Sequence, residues 1–152
     1  MNIPTNEWSN LDQLFGAWTQ LERDDDGHFL YEPCDGNTPG IVISRDSIIL
    51  IHQIEMPTYL SIKNYKISDK SITLKGSTEN LESNFKFKIV EPNSKFILLK
   101  WEHKLNSKFG VVPNRGKKII TREILKSAFR LVKDSCDTEK IPNQVFLPVK
   151  YD

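Results

Sequence analysis

Between Gly40 and Trp101 the chain alternates apolar and polar residues in short runs separated by turn-forming residues, and no other feature constrains its fold more. Successive strand side chains point to opposite faces, so a run with a period of two residues makes a strand with one dry face and one wet face. In Phe85-Lys86-Phe87-Lys88-Ile89 the two rings and Ile89 share one side while both lysines share the other. Residues 71–76 repeat the pattern, and further strands are expected at 41–43, 48–54, 59–67 and 96–101. The intervening segments 45–47, 68–70, 77–83 and 92–94 are rich in Ser, Asp, Asn and Pro, which fix backbone angles or bond to their own backbone. Adding 17–23 in front and 117–122 behind gives about eight strands, a number that closes a barrel around side chains or around one small ligand and leaves no open edge. Residues 48–51 are Ile-Ile-Leu-Ile, apolar on both faces, so their outer side must meet a helix, a barrel end or a partner.

A length of 152 residues suits one domain with one core, with 141–152, which carries Pro142 and Pro148, as an extended C-terminal arm or edge strand. A net charge of +1 gives no basic face for nucleic acid. No apolar run reaches the roughly 18 residues of a membrane helix, and the first residues carry neither the basic flank nor the apolar stretch of a signal peptide. The expectation is a soluble, cytoplasmic chain, exported only if a signal peptide preceded this sequence. Cys34 and Cys136 match no metal or redox spacing and read as two reduced thiols. In an exported protein, joining them would close a loop of about 100 residues and add up to about 4.7 kcal/mol on the chain-entropy account.

Ahead of the strands, Ser9-Asn10-Leu11-Asp12 reads as a helix start, with Ser9 as cap and Asp12 near the positive end of the dipole. Gly16 ends that turn and Trp18 opens the first strand. Behind the strands, Ile124, Ala128, Leu131 and Val132 fall at helical spacing and predict a helix over 123–134. A short helix running into Gly16-x-Trp18 and then a meander of strands resembles the opening of lipocalin-like proteins of the calycin superfamily, and by order of elements the resemblance covers 9–134. It implies an all-β, mainly antiparallel, up-and-down barrel, closed at one end by the short helix and flanked by the C-terminal one. It also implies that Trp18 packs under an arginine of the last strand, which Arg122 would supply at about 0.5 to 2 kcal/mol, with Arg130 as the fallback.

The function implied first is a non-enzymatic protein that holds a small apolar molecule. Its interior would be drawn from Leu60, Ile62, Ile72, Leu74, Phe85, Phe87, Phe96 and Leu98, with His52 or Tyr65 adding polarity. The same residues would otherwise fill the barrel and leave no cavity.

Enzyme chemistry has no constellation behind it: there is no nucleophile elbow, phosphate loop or dinucleotide fingerprint in the chain. His28, His52 and His103 are scattered, and Asp24-Asp25-Asp26-Gly27 lacks the register of a calcium loop and reads as a solvated hairpin turn. No catalytic residue, metal or cofactor is assigned. Lys104, Lys108, Arg115, Lys117 and Lys118 gather around the polar loop 106–116 and suggest a contact for an acidic partner. The alternative function is therefore a small cytosolic inhibitor, of the kind bacterial immunity proteins are, that neutralises a toxin through this loop or the tail.

Overall fold

Strand parity decides where the core lies. The computed structural model describes residues 8–68, 70–79, 81–90, 98–107, 110–112 and 117–136. Its strands are β1 (Gly16–Asp24), β2 (Gly27–Glu32), β3 (Gly40–Ile43), β4 (Ser47–Ile51), β5 (Thr58–Ile67), β6 (Ser71–Ser77), β7 (Leu81–Ile89), β8 (Leu98–Ser107), β9 (Gly110–Val112), β10 (Lys117–Arg122) and β11 (Arg130–Lys133). Eight of them, in the order β1-β3-β4-β5-β6-β7-β8-β10 and back to β1, close an antiparallel barrel. Alternate residues point inward: Trp18, Ile41, Ile43, Ile48, Leu50, Leu60, Ile72, Leu74, Phe85, Phe87, Leu99, Trp101 and Ile120 form one buried cluster.

One end of the barrel is plugged from the N-terminal side. Leu11–Leu14 form a single 3-10 turn whose Leu11 and Leu14 are buried beneath the barrel with Trp8. Asn10, rather than Ser9, caps it. Gln13 stands three residues after Asn10, so each can serve the other: Asn10 Oδ1 accepts from the Gln13 amide at 3.3 Å, and Gln13 Oε1 accepts from the Asn10 amide at 3.0 Å. Trp18 donates its indole N–H to the Leu14 carbonyl at 2.9 Å. Arg122 lies 4.5 Å from the Trp18 ring centre and donates from Nη1 to the Phe15 carbonyl at 3.1 Å and from Nη2 to the Gln13 carbonyl at 2.7 Å. Gly16, at φ +123°, makes the bend between turn and strand, and a Cβ there would stand 3.3 Å from Arg122 Nη1.

Outside the barrel lies a second layer that the alternation does not announce. β1 is longer than the barrel wall, and its last three residues pair with β2 through a hairpin at Asp25 and Asp26. β11 then adds to β2 in parallel, Arg130 opposite Phe29 through Lys133 opposite Glu32. The helix expected over 123–134 is thus corrected to a 3-10 turn, Glu123–Ala128, followed by a strand. The turn buries no residue and leaves Ile124 84% exposed, so the helical spacing has no apolar surface to dock on. The unpaired edge of β2 offers the backbone a better partner. Leu21, Leu30 and Leu98, with Val90, Ile119 and Phe129 against them, form a small outer core beneath this layer.

The expectation of two reduced thiols is also corrected, because Cys34 and Cys136 follow the ends of β2 and β11 and form a disulfide with Cα atoms 5.1 Å apart. It closes a loop of 102 residues of sequence separation around most of the barrel. For a loop of that size the chain-entropy account gives about 4.7 kcal/mol. Trp18 is 1% exposed at the plugged end, so replacing it with Ala should cost about 3 to 5 kcal/mol of stability. Urea unfolding of Trp18→Ala checks this, and a midpoint near that of the parent protein would mean the plug does not depend on the ring.

Candidate functional site

The residues expected to hold an apolar ligand are largely brought together, and among the described residues those at the centre of the group are closely packed. Leu60, Leu74, Phe85 and Phe87 are buried in the same cluster, with Ile62 packed against it. A void able to hold a water molecule would leave its lining with accessible area, and Ile72, Leu74, Phe85 and Phe87 have 0%. The rings are stacked on one another, with Trp101 5.9 Å from Phe85 and 6.3 Å from Phe87 between centres. Gly76, inward on β6 two residues after Leu74, gives the same result: a single Cβ there would stand 3.2 Å from Leu60 Cβ and 3.3 Å from Ile48 Cδ1. This part of the interior is full.

Other members of the expected lining lie elsewhere. Tyr65 is 53% exposed and is corrected to a surface residue. The register between β5 and β6 shifts between Ile62 and Asn64, and the pairing of β5 with β4 ends at Ser61, so Tyr65 lies on an overhang joined only to β6. Leu98 is corrected from the interior to the outer core, because Leu99 and Trp101 are the inward residues of β8. Phe96 lies outside the described residues. His52 follows β4 on the side of Ile48 and Leu50, half-buried, and a 2.8 Å hydrogen bond joins its Nε2 to Thr58 Oγ1.

Toward the end of the barrel away from the plug, the interior turns polar. On β1 the inward series Trp18, Gln20, Glu22 continues the parity set by Trp18, and both polar members are 7% exposed. Gln20 Nε2 donates to Glu22 Oε1 at 2.9 Å. Extending the β1–β10 register by one residue sets Glu22 opposite Lys118. Lys118, expected as an exposed contact for an acidic partner, shares the inner side of β10 with Ile120 and Arg122 and is half-buried. Burial holds its ammonium below the ordinary value of 10.5, and the Glu22 carboxylate pulls it part of the way back. Sequence reasoning missed Gln20 and Glu22, although counting by two from Trp18 inside the expected strand 17–23 reaches both. Lys108 and Arg115 lie outside the described residues, as does the arm 141–152; of Lys117 only the backbone pairing with Glu102 is described.

The outer wall carries the opposite anomaly. Ala17, Val42, Ile49 and Tyr59 are successive register partners across β1, β3, β4 and β5 on the outward face. Val42 and Ile49 are half-buried and Tyr59 is 62% exposed. The loop joining β4 to β5 adds Ile54 and Met56, 74% and 83% exposed. This is the outer side of the Ile-Ile-Leu-Ile run, and it remains partly open to solvent.

Among the described residues no group of three or more His, Cys, Asp or Glu is placed to hold a metal, and no helix is long and apolar enough to cross a membrane. Asp24 to Asp26 make the hairpin turn, with Asp24 accepting from the Asp26 amide at 2.9 Å and from Arg130 at 2.6 Å. No protein-family model, curated protein or solved structure matches the chain.

Lys118 gives a pH test with a definite sign. Its folded pKa is lowered, so over a window ending at 10.5 the unfolded chain holds a proton that the folded chain has released. Folding stability therefore rises with pH through that window. Urea midpoints of the parent protein, measured relative to Lys118→Met at successive alkaline pH values, should climb as pH approaches 10.5. A flat difference would place the ammonium in water, and a falling one would mean that a carboxylate outweighs its burial.

Proposed function

We propose that this protein is a non-enzymatic binding module of lipocalin-like build that engages another protein through the outer wall of its barrel. The observation that carries this reading is the filled interior: Leu74, Phe85 and Phe87 occupy the place a small apolar ligand would take, with no accessible area. What the interior lacks in space the outside offers as apolar surface. The row Val42, Ile49 and Tyr59, extended by Ile54 and Met56, would pack against a complementary apolar face of a folded partner. The plug formed by Gly16, Trp18 and Arg122 supports the lipocalin-like reading, since it joins the short N-terminal turn to the last barrel strand. An inhibitor that neutralises a toxin is one form such a module would take.

The test has two arms. An apolar fluorescent dye should show no stoichiometric uptake. A partner captured by the native protein should be lost on Tyr59→Asp, while the unfolding midpoint stays close to that of the parent protein, because an exposed side chain contributes little to folding. Stoichiometric dye uptake, abolished by a charged residue at Phe87, would return the interior to a ligand-binding role. Capture unaffected by Tyr59→Asp would remove the outer wall as the contact.

A further inference from the structure

We infer that the Cys34–Cys136 bond is a redox latch: it holds the strap formed by Glu123–Ala128 and β11 against the barrel, and its reduction frees that strap while the eight-strand barrel stays closed. The inference is independent of which surface binds a partner. It begins from topology. Every pairing that closes the barrel lies among β1, β3 to β8 and β10, and β11 takes no part, pairing among the described residues with β2 alone. The strap can therefore leave without opening a barrel seam.

The strap's other attachments are weak in kind. Glu123–Ala128 and β11 bury no residue, and the strap's apolar hold on the outer core is a half-buried Phe129. The Arg130–Asp24 ion pair is exposed, with 45% and 41% of the two side chains accessible, and the same guanidinium lies 4.9 Å from the Phe29 ring centre; at exposed sites both kinds of contact contribute little. The Asp134 amide reaches the Glu32 carbonyl at 2.9 Å, and Tyr31 donates to Asp134 Oδ2 at 2.9 Å, both just short of the disulfide. A parallel pair of four residues beside a covalent link is held at high effective concentration by that link, and without it becomes a short edge strand free to fray.

Cys34 and Cys136 are both exposed, so a dithiol reductant can reach the bond. Exchange passes through a mixed disulfide and ends with the reductant oxidised to its own disulfide and each cysteine carrying one hydrogen. A thiol-rich cytosol keeps such an exposed bond open, whereas an oxidising compartment keeps it closed. The latched form thus belongs to an oxidising compartment and the opened form to a reducing one. Release of the strap would uncover Leu21, Leu30 and Leu98 together with the second edge of β2.

Amide hydrogen exchange on the full chain tests this, before and after treatment with excess dithiol, and in parallel on the double variant Cys34→Ser with Cys136→Ser. Amides of 124–134 should then exchange at nearly unprotected rates, while those of Leu74, Phe85 and Ile120 stay slowed by about a thousandfold or more. Strap protection that survives reduction would overturn the latch. Loss of barrel protection together with that of the strap, or a double variant that does not fold, would equally overturn it, because the bond would then hold the whole fold.

Discussion

The fold depends on one guanidinium. Arg122 comes from the last barrel strand, lies over the indole of Trp18 in the first, and donates to the carbonyls of Gln13 and Phe15 in the turn that plugs the barrel. Those carbonyls belong to a turn too short to satisfy its own end, so a fixed fork of donors from across the seam completes it. Burial works against the charge, lowering the Arg122 pKa, but a guanidinium remains protonated in proteins and keeps donating. Gly16 is a glycine because the chain turns there at positive φ, and because a side chain would crowd that same guanidinium. The Gly-x-Trp motif is thus half of a device whose other half lies more than a hundred residues away in the sequence.

What could be read from the sequence follows from how local each determinant is. Period-two alternation with polar or charged residues between the apolar ones placed β6 and β7 and the inward direction of Phe85 and Phe87. Where two apolar residues stand together, as at Leu98-Leu99, alternation loses its phase, and only the neighbouring Lys100 and Trp101 restore it. Tyr65 escaped because one extra residue in β5 shifts the register, and no single strand reports its partner's length. β11 escaped because the decisive fact, the open edge of β2, is a property of the assembled sheet. The two cysteines are brought together by that same parallel pairing, and sequence spacing carries no trace of it.

The candidate site was legible in its parts and not in its meaning. Leu60, Leu74, Phe85 and Phe87 were identified as interior, yet whether they line a space or fill it depends on three-dimensional packing at the scale of one methyl group. The Gln20–Glu22–Lys118 cluster shows the same limit. Each residue reads as an ordinary surface polar residue until strand parity turns it inward, where the Glu22 carboxylate offsets part of the cost of burying the Lys118 ammonium. Among the described residues the interior is apolar and closely packed near the plug and polar toward the other end. The unusual chemistry of this chain is on its outside, in a sheet face apolar where water should favour polar residues.

The account therefore turns on whether the apolar half of the barrel is solid. Diffraction from a crystal held under xenon pressure measures this directly, because xenon enters apolar cavities without needing polar partners. The account predicts no xenon site among Leu60, Ile72, Leu74, Phe85 and Phe87. A well-occupied xenon atom between Leu74 and the two rings would contradict it and make the interior a binding cavity.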